Sequence, residues 1–423
     1  MEKICSFKVL TKFEGAMIGD YVIEENNLFI KLKKEKPTFG YKNVKFDYNL
    51  HFNFGLINKS KKEKIIRIFL ECKSEKELKN SLKWLWLSDD CNKEYKLSKN
   101  IFGKTNFHGK YFFKLKLKPE QVVYISNFPP KSYKKLEKEF TELSLKTKAK
   151  KVILGKTVQR KNIIAYEYGD LTSKPTLLFV SGFHPPERDT IAIEAIMEKF
   201  LNNQWKYKVL KNYSFSFIPI LNPDGFANYM QGSNINEINF HWKFFGNSLS
   251  ECPEAHNIWE YCTRIKPIIF FDFHAFTFQD NNPRPYLIPE GYYIPKKARL
   301  IQKFLNSELS KLCNNSYSKN EIILAPTLLA TRLRDKIGTI TIPKFHMHMK
   351  NGLEETKQMA IDCFDIIING LNTYNINDSG EILKIPYGKI RPKIFDRIRI
   401  NILNFWYFQL ISIIKKVVNK VNK

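Results

Sequence analysis

The feature that most constrains the fold is an apolar run ending in a turn that carries a histidine and a glutamate. The run, Pro175 to Val180, predicts a buried strand bounded by a proline and a glycine. The chain then turns at Ser181-Gly182 and presents His184 and Glu187, three residues apart. Apolar side chains recur with helical spacing after Glu187, so a helix is expected to follow the turn. Strand ends of this kind form the mouths of α/β sheets, where we expect His184 and Glu187 to lie.

A histidine and a carboxylate at this spacing suit a metal ion. Zinc takes N, O or S ligands in a tetrahedral array, and a catalytic zinc keeps one position open. His184 and Glu187 are candidates for two of three protein ligands, the third coming from a distant histidine at another strand end. By itself, a His-x-x-Glu spacing is weak evidence for a metal site.

Two further segments strengthen this interpretation. Asn222-Pro-Asp-Gly225 follows the next apolar run, Phe215 to Leu221, and a third predicted strand, Pro267 to His274, ends in a histidine. In this order the three segments resemble those of the zinc carboxypeptidases, most closely the cytosolic carboxypeptidase branch. That family builds its site from H-P-x-E, N-P-D-G and D-x-H segments. The resemblance extends over roughly residues 150 to 372.

The resemblance implies that His184, Glu187 and His274 bind Zn2+. It implies a metallopeptidase in which a zinc-activated water cleaves a peptide or amide bond, because zinc polarises a carbonyl and lowers the pKa of bound water toward ~7. Asp272, two residues before His274, has two interpretations. It orients a zinc ligand, or it is a strand aspartate that faces away from the site.

The sequence departs from the family where the substrate carboxylate is bound. The family uses arginines, which form bidentate contacts with a carboxylate, but Met230 and Phe240 stand at the corresponding positions. Asn239 is retained and is expected to hydrogen-bond the substrate, and the nearby Lys243 is a candidate substitute cation. We therefore expect a substrate that lacks the usual terminal carboxylate.

A second departure concerns the general base. The family carries a glutamate at the end of a late strand, and Pro343 falls on that position here. A proline cannot take up a proton. His346 and His348, which alternate along the following segment, are candidates for replacement bases or extra metal ligands, the alternative being two surface histidines.

The N-terminal part, residues 1–145, predicts a small β-sandwich domain. Aromatic and aliphatic residues alternate from Phe46 to Phe54, and further strands are expected at Ile66 to Leu70, Tyr111 to Leu117 and Val122 to Ile125. Cytosolic carboxypeptidases carry such a domain before the catalytic one, so the resemblance extends to this part. A generic β module gives the same pattern.

The central part, residues 150–372, predicts an α/β/α sandwich with a mixed central sheet, because strands and helices alternate along it. A charged helical segment, Ser132 to Lys151, is expected to bridge the two domains. Strands are predicted at Ile163–Tyr166, Leu177–Val180, Phe215–Ile220, Ile268–Phe273, Ile322–Leu324 and Thr339–Ile342. Helices are predicted after Glu187, at Ala298–Leu312 and at Leu353–Leu371.

Residues 373–423 form a basic, apolar tail. Phe395 to Val421 mixes aromatic and aliphatic residues with Arg and Lys, and polar residues interrupt it, so it is a poor membrane-spanning segment. It predicts an interfacial helix that contacts an anionic membrane, or a C-terminal helix packed on the body. Seven scattered cysteines without a C-x-x-C pair, and an N-terminus without a secretory apolar region, predict a cytoplasmic protein, membrane-associated if the tail meets lipid.

The charge balance bears on the partners. The chain carries 69 Lys and Arg against 42 Asp and Glu, a formal net charge of +27, and its hydrophobic content of 43% excludes a disordered chain. Such an excess is typical of proteins that meet nucleic acid, anionic membranes or acidic substrates, and a lysine-rich composition bias produces it as well. Nucleic acid is not favoured, and acidic peptides suit the charge by steering.

Three functions therefore stay open. The first, which we favour, is a divergent zinc hydrolase of peptide or amide bonds. The second is a catalytically impaired relative that keeps the metal and binds a peptide or a membrane. The third is a membrane- or polyanion-binding protein that uses the fold as a scaffold.

Overall fold

The computed structural model describes most of the chain before the tail. It covers residues 6–33, 35–36, 38–39, 45–46, 51–71, 84–98, 102–107, 110–230, 232–244, 251–276, 282–290, 293, 295–318, 325 and 327–376. The predicted strand Ile322–Leu324, the segment Tyr48–Leu50 and the predicted tail helix Phe395–Val421 lie outside the described residues. No helix of the described residues is long and apolar enough to span a bilayer.

Twelve described strands precede the first described helix. They are β1 (Phe7–Leu10), β2 (Tyr21–Glu24), β3 (Asn27–Lys31), β4 (Thr38–Phe39), β5 (Lys45–Phe46), β6 (Asn53–Asn58), β7 (Lys64–Glu71), β8 (Leu85–Ser88), β9 (Lys96–Ser98), β10 (Phe102–Phe107), β11 (Lys110–Leu117) and β12 (Val122–Ser126). One five-stranded sheet has the order β1-β6-β12-β8-β9 and another the order β10-β11-β7-β3-β2, while β4 pairs with β5. The predicted strand from Phe46 to Phe54 is therefore wrong as one element, because its ends belong to β5 and β6, which pair with different partners.

The two five-stranded sheets share one apolar core, which confirms the predicted β-sandwich. Alternate residues of β6 and β7 point into it, as expected from the two-residue period of a strand. The core includes Val9, Leu28, Ile30, Phe52, Phe54, Leu56, Ile66, Ile68, Leu70, Phe113, Leu115 and Ile125.

The segment after the sandwich is a helix followed at once by a strand. Helix α1 (Tyr133–Thr147) begins where the Ser132 hydroxyl accepts a hydrogen bond from the Lys135 backbone N–H. It ends at Lys148, which adopts the left-handed conformation with φ of 58°. The predicted helix to Lys151 is wrong at its end, because strand β13 (Lys150–Lys156) begins two residues after this cap.

A seven-stranded mixed sheet forms the centre of the larger part. Its other strands are β14 (Asn162–Tyr168), β15 (Thr176–Val180), β16 (Ser214–Ile218), β17 (Ile269–Phe276), β18 (Arg284–Pro285) and β19 (Ile340–His348). The order is β13-β14-β16-β15-β17-β19-β18. The four strands β16, β15, β17 and β19 are mutually parallel, and the others pair antiparallel. The carboxyl ends of the parallel strands therefore meet at one edge of the sheet.

Helices cover both faces of this sheet, as predicted for an α/β/α sandwich. They are α2 (Thr190–Lys199), α3 (Asn203–Leu210), α4 (Pro223–Asn228), α5 (Pro253–Ile265), α6 (Lys296–Leu312), α7 (Leu329–Ile337) and α8 (Leu353–Thr373). One face packs on α1, α2, α6 and α8, with Phe179, Phe271 and Phe364 in its core. The other packs on α5 and α7, with Leu178, Phe270 and Trp259 in its core.

The sandwich and the mixed sheet are in direct contact. Trp84, Trp86 and Tyr95 of the sandwich lie in the same apolar cluster as Tyr133 and Leu136 of α1. Across another contact, Met17 and Phe128 pack on Tyr229. The two predicted domains, 1–145 and 150–372, therefore share packed side chains.

Candidate metal centre and active site

A tight turn after β15 begins the site. The Ser181 hydroxyl donates to the Pro219 carbonyl at 2.8 Å. Gly182 has φ of +77°, and a Cβ there would lie 2.7 Å from the Pro219 oxygen, so this close approach requires glycine. The Gly182 N–H donates to the buried Asp189 carboxylate at 3.0 Å. These contacts fix the direction in which the chain leaves the strand.

The next residues form a short 3-10 helix, Pro185–Glu187, with His184 at its start. The Glu187 N–H donates to the His184 carbonyl at 2.9 Å, which closes the turn. Arg188 ends it in the left-handed conformation and is 2% exposed. Its guanidinium donates to the Thr190 hydroxyl at 2.6 Å and lies 3.6 Å from the Glu194 carboxylate. The turn that carries both candidate ligands is thus tied to α2.

His274, near the end of the adjacent strand β17, completes the cluster. Its Nδ1 lies 2.8 Å from Glu187 Oε2, which also accepts the Ala275 N–H at 3.1 Å. One ligand atom from each of His184, Glu187 and His274 lies within 4.8 Å of the others. The structure therefore brings together the three residues predicted to bind metal.

The chemistry of this cluster fits zinc. Two imidazoles and a carboxylate are a common donor set for a catalytic zinc, and metal binding requires the imidazoles to be neutral. Burial, aided by the Lys344 ammonium and opposed by Glu187, lowers the pKa of His184 to about 4. Burial and Lys344 also hold the pKa of His274 well below its usual value. Both side chains are thus neutral near pH 7, while Glu187, with its side chain 20% exposed, leaves an approach to the cluster.

A second group of donors overlaps the first at His274. The Asp272 Oδ2 lies 3.2 Å from His274 Nε2, and His241 contributes a ring nitrogen within 4.8 Å of both residues' donor atoms. Burial, with smaller effects of Asp189 and Glu187, raises the pKa of Asp272 well above its usual value despite Lys344. Asp272 therefore lies beside a candidate ligand, as expected of a residue that orients it.

His241 and Lys344 are not among the site residues predicted from the sequence. His241 lies in a 3-10 helix, Phe240–Trp242, and its ring contacts Phe183 edge to face at 4.6 Å. It comes two residues after Asn239, and this position in a segment that faces the site in the resembled family is the signal that could have found it.

The Asn222-Pro-Asp-Gly225 segment supports the turn rather than contacting the cluster. The Asn222 amide donates to the Phe183 carbonyl at 3.3 Å and to the Ser233 carbonyl at 3.0 Å. Asp224 accepts the Thr157 hydroxyl at 2.8 Å and the Gln159 N–H at 2.9 Å. These bonds hold two loops against the segment that carries His184.

The positions where the family carries arginines are occupied by residues with other roles. Phe240 is 2% exposed and packs on Phe183 with ring centroids 5.1 Å apart. The Met230 N–H donates to the Gly225 carbonyl at 2.9 Å. Lys243 lies 3.6 Å from the Glu251 carboxylate. Asn239 is buried at the start of the 3-10 helix, and its contact with substrate stays a prediction.

The two candidate bases lie on β19 in different surroundings. His346 pairs with His274 across β17 and β19, and their ring centroids are 5.4 Å apart. The Nε2 of His348 lies 3.7 Å from the Glu355 carboxylate of α8. Both are buried, so the interpretation as surface histidines is wrong. Of the two histidines, His346 is the one that neighbours the candidate metal ligands.

Pro343, at the position expected for the glutamate, lies in an irregular part of the same strand. Ile342 pairs with Phe271 and Phe345 pairs with Phe273, so Pro343 and Lys344 both face Asp272. This arrangement is a β-bulge, which re-aims side chains beside functional sites. No carboxylate occupies the position, since the residue is a proline.

This mixed sheet with helices on both faces is similar to the fold of known metallo-carboxypeptidases. The metallo-carboxypeptidase from Burkholderia cenocepacia superposes with a TM-score of 0.68 at 16% identity, covering 87% of this chain and 100% of that one. The metallo-carboxypeptidase from Pseudomonas aeruginosa superposes with a TM-score of 0.70 at 12% identity, covering 87% and 99%. No protein-family model and no curated protein sequence matches the chain. The shared fold is therefore visible in the structure and not in overall sequence similarity.

Proposed function

We propose that the protein is a divergent zinc-dependent metallocarboxypeptidase-like hydrolase that cleaves a peptide or amide bond. The observation that carries this proposal is the convergence of His184, Glu187 and His274, with donor atoms within 4.8 Å, at the strand ends of a carboxypeptidase fold. When bound, zinc supplies Lewis acidity toward a carbonyl and acidifies water. The chain's contribution is to hold two neutral imidazoles and one carboxylate around a common centre.

We propose His346 as the proton-transfer residue that replaces the family's glutamate. Its ring lies beside His274, with ring centroids 5.4 Å apart, and this position carries the proposal. Burial and Lys344 hold its pKa well below the usual value, so the ring is neutral near pH 7 and is a weak base. A low pKa also makes the protonated ring a strong acid toward a leaving amine. His348, which lies beside Glu355, is the weaker candidate. Asn239 is proposed to bind the substrate, as in the resembled segment.

The domain organisation and the setting of the protein are further proposals. We propose the boundaries 1–145, 150–372 and 373–423, because the first two ranges contain separate sheets, and each range has a core cluster of its own besides the cluster that they share. Kinship to the cytosolic branch, a cytoplasmic location and contact of the tail with anionic membranes stay predictions. So does the preference for acidic peptides.

A paired measurement of metal and turnover tests the function. Purified wild type and His184→Ala are analysed for zinc and incubated with a mixture of peptides with free and amidated carboxyl ends, and products are read by mass spectrometry. We expect about one zinc per chain and hydrolysis in the wild type, both lost in the variant. A protein without bound metal would contradict the proposal. Bound zinc without hydrolysis would favour the impaired, peptide-binding relative.

The comparison structures suggest a probe for the same experiment. The Pseudomonas aeruginosa structure is a complex with (2-guanidinoethylmercapto)succinic acid. We expect this compound to inhibit hydrolysis by the present protein if the two sites share their metal. Absence of inhibition alongside zinc-dependent turnover would mean that the substrate sites differ.

A further inference from the structure

The bulge in β19 determines which side chains share the face of the candidate metal centre. Phe345 and Met347 lie in the core beneath α6 and α8. Side chains alternate along a strand, so His346 lies on the opposite face, where its pairing partner His274 also lies. Because the bulge sets both Pro343 and Lys344 against Asp272, it adds a lysine beside these residues.

A second cation reaches the same face from the next strand. Arg284 of β18 pairs directly with His346, and directly opposed residues of paired strands point to the same face. The Tyr286 N–H donates to the Lys344 carbonyl at 2.8 Å, which fixes the register of this short pairing. Arg284 therefore lies opposite His346 on the next strand, and Lys344 lies two residues before His346 on the same strand, so the two cations are diagonal neighbours.

Exposure distinguishes the cations from the residues beneath them. His346 and His274 are 8% and 0% exposed, whereas Lys344 and Arg284 are both partly exposed. Lys344 lowers the pKa of His184, His241 and His274, and both cations lower that of His346. A positive potential thus extends over the candidate centre from two side chains that an incoming molecule can meet.

Among the residues that the structure describes, no carboxylate forms an ion pair with the Lys344 ammonium. The acids of the site, Glu187, Asp189 and Asp272, are held by the turn and by His274 instead. A half-buried ammonium beside a guanidinium is a favourable receptor for an anion, because a guanidinium binds a carboxylate bidentately and an ammonium adds a point charge.

We propose that Lys344 and Arg284 form an anion-binding subsite beside His346 that takes a carboxylate of the substrate. This proposal rests on the proposed hydrolase function and names the charge of its substrate. In this proposal, residues of β18 and β19 bind the carboxylate, which Met230 and Phe240 cannot bind because they carry no charge. The net charge of +27 would steer anionic substrates toward the same region.

Binding of succinate tests the subsite without requiring turnover. Calorimetry on zinc-loaded and on metal-free protein compares succinate with its neutral analogue succinamide. We expect succinate to bind at least 10-fold more tightly than succinamide, Lys344→Met and Arg284→Met each to weaken succinate about 10-fold or more, and Lys344→Arg to retain binding. Lys336→Met, which removes an exposed charge on α7, is the matched control and should bind like the wild type.

The outcomes separate the subsite from the hydrolase. Equal affinity for succinate and succinamide, or full affinity in Lys344→Met, would overturn the subsite whatever the zinc content. Zinc analysis of each variant reports on the proposed function independently, because neither cation is a ligand. Peptides with an acidic side chain and an amidated carboxyl end, compared with neutral peptides with a free carboxyl end, then identify which carboxylate of the substrate is bound.

Discussion

The two halves of the candidate site are built in different ways. In the half around β15, the turn at Gly182, the candidate ligands His184 and Glu187 and the Asn222 contacts match the segments that resemble zinc carboxypeptidases, and they are densely hydrogen-bonded. In the half around β19, the expected glutamate is Pro343, a bulge adds a residue and histidines take the neighbouring positions. The candidate metal ligands thus keep the resembled pattern, whereas the residues proposed to handle the proton and the substrate depart from it.

A metal centre tolerates less rearrangement than a proton-transfer group or a charged contact. A metal site needs several donors around one point, supported by surrounding bonds. A proton acceptor or an anion-binding cation has only to lie within hydrogen-bond distance of the substrate, and a residue of another strand can meet that requirement.

The largest effect is expected in the half that follows the family. Glu187→Gln replaces a charged ligand with a neutral amide, and we expect zinc content to fall from about one per chain to less than about a tenth, with hydrolysis lost as well. Metal analysis after dialysis measures this change. Glu198→Gln, on the exposed side of α2, is the matched control. Retention of zinc by Glu187→Gln would show that the metal, if any, lies elsewhere.

The rebuilt half is probed by its two histidines. We expect His346→Asn to reduce kcat roughly 100-fold or more, since general acid-base catalysis contributes about 10²–10⁴-fold. His348 lies beside Glu355 and not beside the cluster, so His348→Asn should change kcat by less than about 3-fold. Steady-state kinetics at equal zinc content gives both values. Equal losses in the two variants would remove the distinction between them.

The clamp in the first half predicts a loss of stability rather than of chemistry. Asp224→Ala leaves the Thr157 hydroxyl and the Gln159 N–H without their buried acceptor. We expect the free energy of unfolding to fall by about 2–4 kcal/mol. Urea denaturation measures it, with Asp20→Ala, an exposed change in the sandwich, as the control. An unchanged midpoint would mean that the loop is not held by this carboxylate.

The smallest expected effect is the change in the free energy of unfolding of the metal-free protein for each pH unit. Burial, with Lys344, depresses the pKa of four histidines: His184, His241, His274 and His346. Below their unfolded pKa near 6.5 the unfolded chain takes up about four protons that the folded chain refuses, so stability falls as pH drops from about 7 toward 5. Burial raises the pKa of Asp189 and Asp272, which oppose this by up to about two protons.

When both aspartates oppose in full, the net of four minus two protons gives a loss of about 2.7 kcal/mol per pH unit. Urea unfolding of metal-free protein at several pH values tests this slope, and His241→Asn should reduce it by up to about 1.4 kcal/mol per unit. A stability independent of pH between about 7 and 5 would show that these rings are already charged in the folded protein.

Much of the first half of the site is predictable from the sequence. The run before Ser181 and the helical spacing after Glu187 define a strand and a helix whose junction carries the candidate ligands. The apolar run before His274 likewise defines β17, which extends two residues beyond it to Phe276. Helix α8, expected at Leu353–Leu371, is found at Leu353–Thr373. These elements have strong periodicity, and their position follows from local pattern alone.

Two features of the structure are not predictable from the sequence: the end of helix α1 and the place of Lys344 in the site. Helix α1 ends at Lys148, a non-glycine residue in the left-handed conformation, so no glycine marks the boundary. Lys344 lies at the site because a register shift between β17 and β19 places both Pro343 and Lys344 opposite Asp272. The pattern of a single strand does not show with which residues of its neighbour it pairs. The signal in the chain is the change of apolar spacing between Ile342 and Phe345, which is three residues instead of two.

The extra residue in β19 also bears on how this protein can evolve. Loss of one codon at Pro343 or Lys344 would restore regular alternation between Ile342 and Phe345, and the later pairs, Phe345 with Phe273 and His346 with His274, would keep their register. Phe345 and Met347 would stay in the apolar core under α6 and α8, and His346 would stay beside His274. Descendants of this chain could therefore lose the extra cation in a single deletion without moving the histidines.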